Sequence, residues 1–565
     1  KAMIRMLTLL LVWCSFLQQI SAQDGRFANE KMTLSDGVKL STDIYLPEAE
    51  GSYPVVMIRT PYGKFQMDFY GEFFAKNGYA VVAQDVRGEY ESEGEFYPFI
   101  NEKKDGLEVL DWIAAQPWCN GNIGGFGTSY IGFTALTLMD EQHPNLKAVF
   151  NISGWIQSEK MNNPGGALHL MLGLPWLLHE ATLRTGKSPQ QDLDSLYKVI
   201  PVKNAMRVAG METTLWEQPG TFEQLNADYD FSRVNVPVFH ITGWYDFVAE
   251  GTLQNYFKIK KHADVPQKLI IGPWFHNQEH TKLTEVGDED FGEVSYLGDA
   301  KIMELARRWF DHWLRGEDNG IMDEPEVKLF NMFANEWQTF ETFPPKNAEA
   351  TAFYLSSQQG ANSLDGDGTL SANPPKATGT DRFTYNPLDP VPTYGGANFH
   401  FFPEFLGVKD QRDIEAREDV LVYTSEPFAE TRDVVGKVHV RLFAATEGAD
   451  TDFTAKLVLV DDYGYARNIC DGIIRARHRN DLNKSELLKP GKVYEFEIDL
   501  GHTAFQIQPG QRIRLEVSSS NFPKFNRNLN VATDPFEATE IKVVEQTIYH
   551  SGQYPSQLIL SILKP

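Results

Sequence analysis

The chain has 565 residues, 42% of them hydrophobic and 23% charged. That balance excludes global disorder and gives room for about three domains at ~150 residues each. A formal net charge of −25 repels phosphates and so excludes non-specific nucleic-acid binding, but it selects no substrate. Three cysteines exclude a disulfide framework.

Residues 1–22 read as an export signal. Lys1 and Arg5 are basic, Met6 to Phe16 is an apolar core, and Ser21-Ala22 offers small residues before Gln23. The run is too short for a comfortable membrane span. Val12-Trp13 before Cys14 lack the small residues of a lipoprotein cleavage site. The expected product is secreted or periplasmic, with no stable membrane insertion after cleavage. Loss of Lys1 and Arg5 takes the charge from −25 to −27 and leaves Cys119 and Cys470. These two read as unpaired thiols, although an oxidising compartment would permit one bridge.

Residues 23–154 begin with an antiparallel entry. Val38 to Leu46 alternates at strand period and ends at Pro47. Tyr53–Ile58 and Tyr79–Ala83 are apolar strands. Helical patterns fall at Phe69–Lys76 and at 102–115 (Leu107, Leu110, Ile113). A strand then feeds the glycine-rich stretch Gly124-Gly125-Phe126-Gly127-Thr128-Ser129-Tyr130-Ile131-Gly132, a helical pattern follows it, and Leu146–Ile152 is another strand. Residues 155–232 break this rhythm and predict a helical insertion over the sheet. The sheet resumes in 233–345 with Val238–Ile241 and Lys268–Ile271, and a helix at 302–315 closes the domain. Alternating strands and helices predict a mostly parallel sheet covered on both faces, with its active site beyond the carboxyl ends of the strands. In 346–565 glycine, asparagine and proline become frequent. Short alternating strands follow (Val438–Phe443, Phe453–Leu459, Val493–Ile498, Ile513–Ser518), predicting an antiparallel sandwich or jelly roll.

Ser129 sits where a strand–turn–helix elbow exposes a nucleophile. Gly127 precedes it by two, but the second glycine falls at Gly132, one place later than the general G-x-S-x-G pattern. A serine nucleophile needs a base and an acid to orient that base, in chain order Ser, Asp or Glu, His. Gly243-Trp244-Tyr245-Asp246 and Gly272-Pro273-Trp274-Phe275-His276 follow strands in that order, so Asp246 and His276 complete the set. The Tyr130 amide is one candidate oxyanion donor. Tyr62, in the early-strand loop Thr60-Pro61-Tyr62-Gly63, is the other, through its hydroxyl. His276-Asn277-Gln278-Glu279-His280 also spells the H-x-x-E-H of one zinc-protease group. That chemistry needs both histidines on one helical face, and Gly272-Pro273 predicts a loop, so the zinc reading is set aside. Gly186-Lys187-Ser188 resembles the end of a phosphate-binding loop, but Ala181 stands where its first glycine belongs. No metal or organic cofactor is expected.

Gly127-Thr128-Ser129-Tyr130-Ile131-Gly132 resembles the G-x-S-Y-x-G elbow of the family holding X-Pro dipeptidyl-peptidases, cocaine-esterase-like hydrolases, glutaryl-cephalosporin acylases and α-amino-acid ester hydrolases. Its later glycine matches. Thr60-Pro61-Tyr62-Gly63-Lys64, Asp85-Val86-Arg87-Gly88 and the Asp246 and His276 motifs also look like family motifs. So do Asp450-Thr451-Asp452-Phe453 and Asp471-Gly472-Ile473-Ile474-Arg475-Ala476-Arg477. The resemblance implies an α/β-hydrolase core, a helical cap and a jelly-roll C-terminal domain. It implies Ser129 as nucleophile, Asp246 as orienting acid, His276 as base, and Tyr62 with the Tyr130 amide on the oxyanion. Asp85, Arg87, Asp452 and Arg475 are read as structural. One departure stands out. Where the amino-acid ester hydrolases place acids for a substrate ammonium, this chain has Phe247, Val248 and Ala249, and Glu250 is the first acid. The expected activity is hydrolysis of a small acyl ester, an amide or a short peptide, with an X-Pro dipeptidyl-peptidase as the alternative. Glu159, Glu180 or Glu250 would then have to meet the peptide amine. A non-catalytic glycan-binding protein is the remote alternative. Oligomeric state is left open.

Overall fold

The computed structural model describes residues 26–157, 159–211, 228–375, 379–399 and 405–564. The segment read as an export signal (1–22) and part of the expected insertion (212–227) lie outside them. The first sheet opens with β1 (Arg26–Thr33) and β2 (Lys39–Leu46), paired antiparallel. Then come β3 (Tyr53–Thr60), β4 (Ala80–Asp85), β5 (Cys119–Thr128), β6 (Leu146–Ile152), β7 (Val238–Tyr245) and β8 (Gln267–Phe275). A short ladder of β9 (Glu285–Val286) and β10 (Glu289–Asp290) follows, and β11 (Val327–Asn331) and β12 (Glu336–Phe340) complete the sheet. The spatial order is β1-β2-β4-β3-β5-β6-β7-β8-β11-β12. From β4 through β11 all neighbours run parallel, and the two edges are antiparallel.

The two faces follow from the period of two along each strand. Val56 and Ile58 of β3, Val81 and Ala83 of β4 and Phe126 of β5 pack on one face. There α1 (Asp68–Lys76) contributes Phe74, and a later, long helix contributes Ile302, Ala306, Trp309 and Phe310. Val55, Met57, Ala80, Val82 and Ile123 point the other way, against α2 (Glu102–Ala114) and α3 (Tyr130–Leu136). Two further helices matter here: α4 (Leu170–Thr185) in the insertion and α5 (Ala249–His262) after β7. The long helix is α6 (Gly298–Arg315), which ends at Gly316 in a left-handed conformation (φ 73°). Cys119 and Cys470 are free thiols.

Among the described residues the second sheet has eleven strands, from Ala348–Ser356 to Gln557–Leu563. Here the expectation of short strands is corrected. Arg432–Thr446 runs 15 residues and Tyr494–Ile507 runs 14. Inward Val438, Val440, Leu442 and Ala444 are fully buried, while outward Arg441 pairs across the strands with Glu495 at 3.1 Å. A register shift between Lys437 and His439, beside Gly436 at φ 131°, carries the strand past its bend instead of ending it. The predicted β7 and β8 are likewise only the first parts of longer strands.

Several contacts join the parts. The core of the second sheet is continuous with Trp244 and Tyr245 of β7. The Tyr245 hydroxyl donates to the Asn468 carbonyl at 2.8 Å. The insertion docks through Leu168, whose N–H donates to Asn526 Oδ1 at 3.1 Å. Arg475 holds Asp452 through two bonds of 3.0 and 2.9 Å and also reaches Asn526, so this buried pair supports the docking loop. Asp85 accepts from the Lys64 N–H, and Arg87 grips Asp105, within the first domain.

Candidate active site

Tyr62 follows β3, Ser129 follows β5, Asp246 follows β7 and His276 follows β8. Parallel strands end on one side, so the topology brings these loops together. Ser129 has φ 58° and ψ −126°. A non-glycine residue there stores about 1–3 kcal/mol, which the surroundings must impose. They do so by close packing. A Cβ at position 127 would lie 2.5 Å from the Ile131 carbonyl carbon, and one at 132 would lie 2.4 Å from Asn151 Oδ1. The second glycine therefore belongs at 132, where the helix start presses on β6. Position 131 carries a side chain that packs with Phe126 and Phe150. The Ser129 N–H donates to the Ile152 carbonyl at 2.8 Å, pinning the turn.

His276 Nε2 lies 3.0 Å from Ser129 Oγ. Its Nδ1 lies 2.9 and 3.0 Å from the two Asp246 oxygens. Asp246 Oδ1 also accepts from the Val248 N–H at 2.9 Å, which fixes the carboxylate plane. With Nδ1–H donated to Asp246, Nε2 is the nitrogen that faces the serine hydroxyl as an acceptor. Burial alone would lower the His276 pKa, but the Asp246 charge and hydrogen bond, helped by Glu279, carry it above the ordinary histidine value. Phe247 lies against the imidazole, ring centres 4.7 Å apart.

The Tyr130 N–H is the first of α3 and stands outside the helix's own hydrogen-bond ladder. The Tyr130 side chain is held elsewhere: its hydroxyl donates to Glu102 Oε1 at 2.6 Å and accepts from the Phe99 N–H at 2.7 Å. Burial raises the Glu102 carboxyl to about 7. The Tyr62 hydroxyl accepts a hydrogen bond from Trp176 of α4, which leaves its own proton free to donate. Burial, then the nearby Glu180, raises the Tyr62 pKa, so the phenol stays neutral. Trp176 and Glu102 escape a sequence reading, because only the packed structure shows which hydroxyl each one orients.

Ser129 opens onto a cavity of about 360 Å³. Its walls include Phe99, Trp155, Leu172, Trp176 and Phe247, with Phe399 from beyond the first domain. Phe99 and Trp176 stack with ring centres 5.8 Å apart. No described residue lining it carries a carboxylate or a permanent positive charge. Burial lowers His169 to about 3 and pushes His179 down, so both are neutral near pH 7. Of the acids considered for an amine, Glu250 is engaged by His502 (Nδ1 at 3.0 Å), Glu180 is buried beside Tyr62, and the Glu159 side chain lies outside the described residues. In the H-x-x-E-H stretch the two histidines share no helical face. His276 faces Ser129 and Asp246, while His280 faces Thr128 and Asp299.

The fold and this strand-end serine define the class of α/β-hydrolase-like serine hydrolases. The comparisons narrow the class. The model for X-Pro dipeptidyl-peptidases (S15 family) matches residues 36–278, and that for the X-Pro dipeptidyl-peptidase C-terminal non-catalytic domain matches residues 319–559. The chain is 34% identical over 580 residues to the cocaine esterase of Rhodococcus sp. (strain MB1 Bresler), covering 96% of this chain and 100% of that one. The structure superposes on an α-amino-acid ester hydrolase with a TM-score of 0.83 at 24% identity, covering 97% and 98% of the two chains. An aminopeptidase from a marine sediment Thaumarchaeota archaeon matches with the same score, identity and coverage. The chain belongs to the X-Pro dipeptidyl-peptidase S15 family and is a serine hydrolase acting on ester or amide bonds.

Proposed function

We propose that the chain is an exported acyl esterase or amidase that works through an acyl-enzyme on Ser129, with His276 as base and Asp246 as its orienting acid. The observation that carries this reading is His276 bridging Ser129 Oγ and Asp246 while Ser129 is held at φ 58°. Ser129 Oγ attacks the substrate carbonyl as His276 Nε2 takes its proton. The Tyr62 hydroxyl and the Tyr130 N–H receive the negative charge on the carbonyl oxygen. On collapse His276 returns the proton to the leaving group. Water then attacks the ester on Ser129, losing its proton to His276, and the acid and free Ser129 are released.

The cavity favours an uncharged, flat acyl group over a peptide amine. Its walls are aromatic, and an ammonium entering it would be stripped of water with no carboxylate among the described lining residues to meet it. The relative named a cocaine esterase supports the ester reading over the dipeptidyl-peptidase reading. The C-terminal strands suit a jelly roll that supplies part of the acyl pocket through Phe399. A panel of aryl esters, aryl amides, glutaryl amides, aminoacyl esters and Gly-Pro anilides tests the specificity. Aryl esters are expected to give the highest kcat/KM, and preference for Gly-Pro would overturn the assignment. Cleavage after Ala22 is checked by N-terminal sequencing of the exported protein. A mature chain that retains Met6–Phe16 would contradict it.

A further inference from the structure

The stretch that spells H-x-x-E-H has a second histidine that the acyl-transfer reading leaves unused. His280 Nε2 lies 3.0 Å from Thr128 Oγ1, and its Nδ1 lies 2.7 Å from Asp299 Oδ1. Thr128 is the last residue of β5, directly before Ser129, and Asp299 is in the first turn of α6. The two histidines therefore make the same kind of bridge. Each joins an elbow hydroxyl to an aspartate, and the bridged hydroxyls are on adjacent residues. The loop between them is short, with Asn277 at φ 68° and a single turn over Gln278–His280. Fixing His280 thus fixes the approach of His276. Glu279 is buried between them, 4.0 Å from His280 Nε2 and 3.5 Å from Ser153 Oγ.

The bridges differ once the reaction starts. When Ser129 Oγ carries the acyl group it has no proton to give, and the His276–Ser129 bond is lost. The Thr128–His280 bond involves neither reacting atom and persists. It also survives either charge state of His280. A neutral ring with Nδ1–H on Asp299 accepts the Thr128 hydroxyl, and a protonated ring donates Nε2–H to the same oxygen.

We propose that His280 is a positioning residue that keeps His276 in register over acylated Ser129 by clamping the base-bearing loop to Thr128. Its work falls in deacylation. There His276 must take a proton from water, the new carbon–oxygen bond forms, and the bond to Ser129 Oγ breaks with return of that proton. In the free enzyme the His276–Ser129 bond gives the loop a second tether, so acylation depends on the clamp less. This inference rests on Ser129 being the nucleophile.

The test is pre-steady-state hydrolysis of p-nitrophenyl benzoate by the full chain. Thr128→Val is nearly isosteric and removes only the hydroxyl, while His280→Leu removes the ring. Both are expected to slow deacylation about tenfold, the scale of a small misplacement of a catalytic group. Acylation is expected to stay within about twofold, so kcat and KM fall together and kcat/KM holds. The nitrophenol burst should approach about one equivalent of enzyme. Thr128→Ser should restore the wild-type pattern. Equal losses in both steps, or no change in Thr128→Val while Ser129→Ala is inactive, would overturn the clamp alone. Full activity in Ser129→Ala would overturn the reading beneath it.

Discussion

Three side chains carry predictions about single groups. In the proposed mechanism Tyr62 acts through one proton, which the Trp176 hydrogen bond leaves to be donated. Tyr62→Phe keeps the ring and removes the donor. The loss expected for one oxyanion donor is ~10²–10³ in kcat with KM little changed, read from steady-state kinetics on an aryl ester. An unchanged kcat would remove Tyr62 from the mechanism. His276 accepts a proton only when neutral, and its pKa lies above the ordinary value of 6.5. The kcat/KM profile should therefore rise with pH through an apparent pKa above about 6.5 and then level off. Glu279 is one of the carboxylates that favour the charged imidazole, so Glu279→Gln should move the rising limb to lower pH. A limb that stays in place would show that Asp246 alone sets the base. The strand-end placement of Ser129, Asp246, His276 and Tyr62 was legible because each follows an apolar strand whose pattern is readable. Trp176 and Glu102 were not, since their partners lie more than a hundred and nearly thirty residues away in sequence, respectively.

The elbow is the element on which the site turns. Its geometry depends on two positions without a Cβ, and the structure explains the glycine offset that the general motif does not. At 132 an added methyl would meet Asn151 Oδ1 at 2.4 Å and the Gly127 carbonyl oxygen at 2.9 Å. Gly132→Ala should push α3 off β6, cost about 1–3 kcal/mol in denaturant unfolding and lower kcat by misplacing Ser129. Wild-type stability and activity in that variant would refute the packing account. Most elements of the first sheet were legible, because its central strands are buried on both faces and read as apolar runs. The long strand Arg432–Thr446 was not. Gly436 and the shifted register between Lys437 and His439 hide its continuity from a pattern reader looking for strict alternation.

At the scale of the whole molecule, the insertion and the β-rich domain build the cavity that the first domain alone leaves open. Phe399 and Trp176 come from outside the first domain's strand-end loops, so the cavity was beyond any reading of one segment. The Arg475–Asp452 pair, 5% and 2% exposed, supports the Asn526 loop on which the insertion rests. Arg475→Met leaves Asp452 buried without its partner and should destabilise the fold by about 3–5 kcal/mol in chemical denaturation. Stability within about 0.5 kcal/mol of wild type would mean the pair is incidental. The central claim is that the acyl group is carried on Ser129. Its most direct test is treatment of the folded protein with a fluorophosphonate, followed by peptide mass spectrometry. One phosphonyl adduct on the peptide containing Ser129, with loss of hydrolysis in proportion to labelling and no adduct in Ser129→Ala, is the predicted result. Labelling at another residue, or undiminished hydrolysis after complete labelling of Ser129, would contradict it.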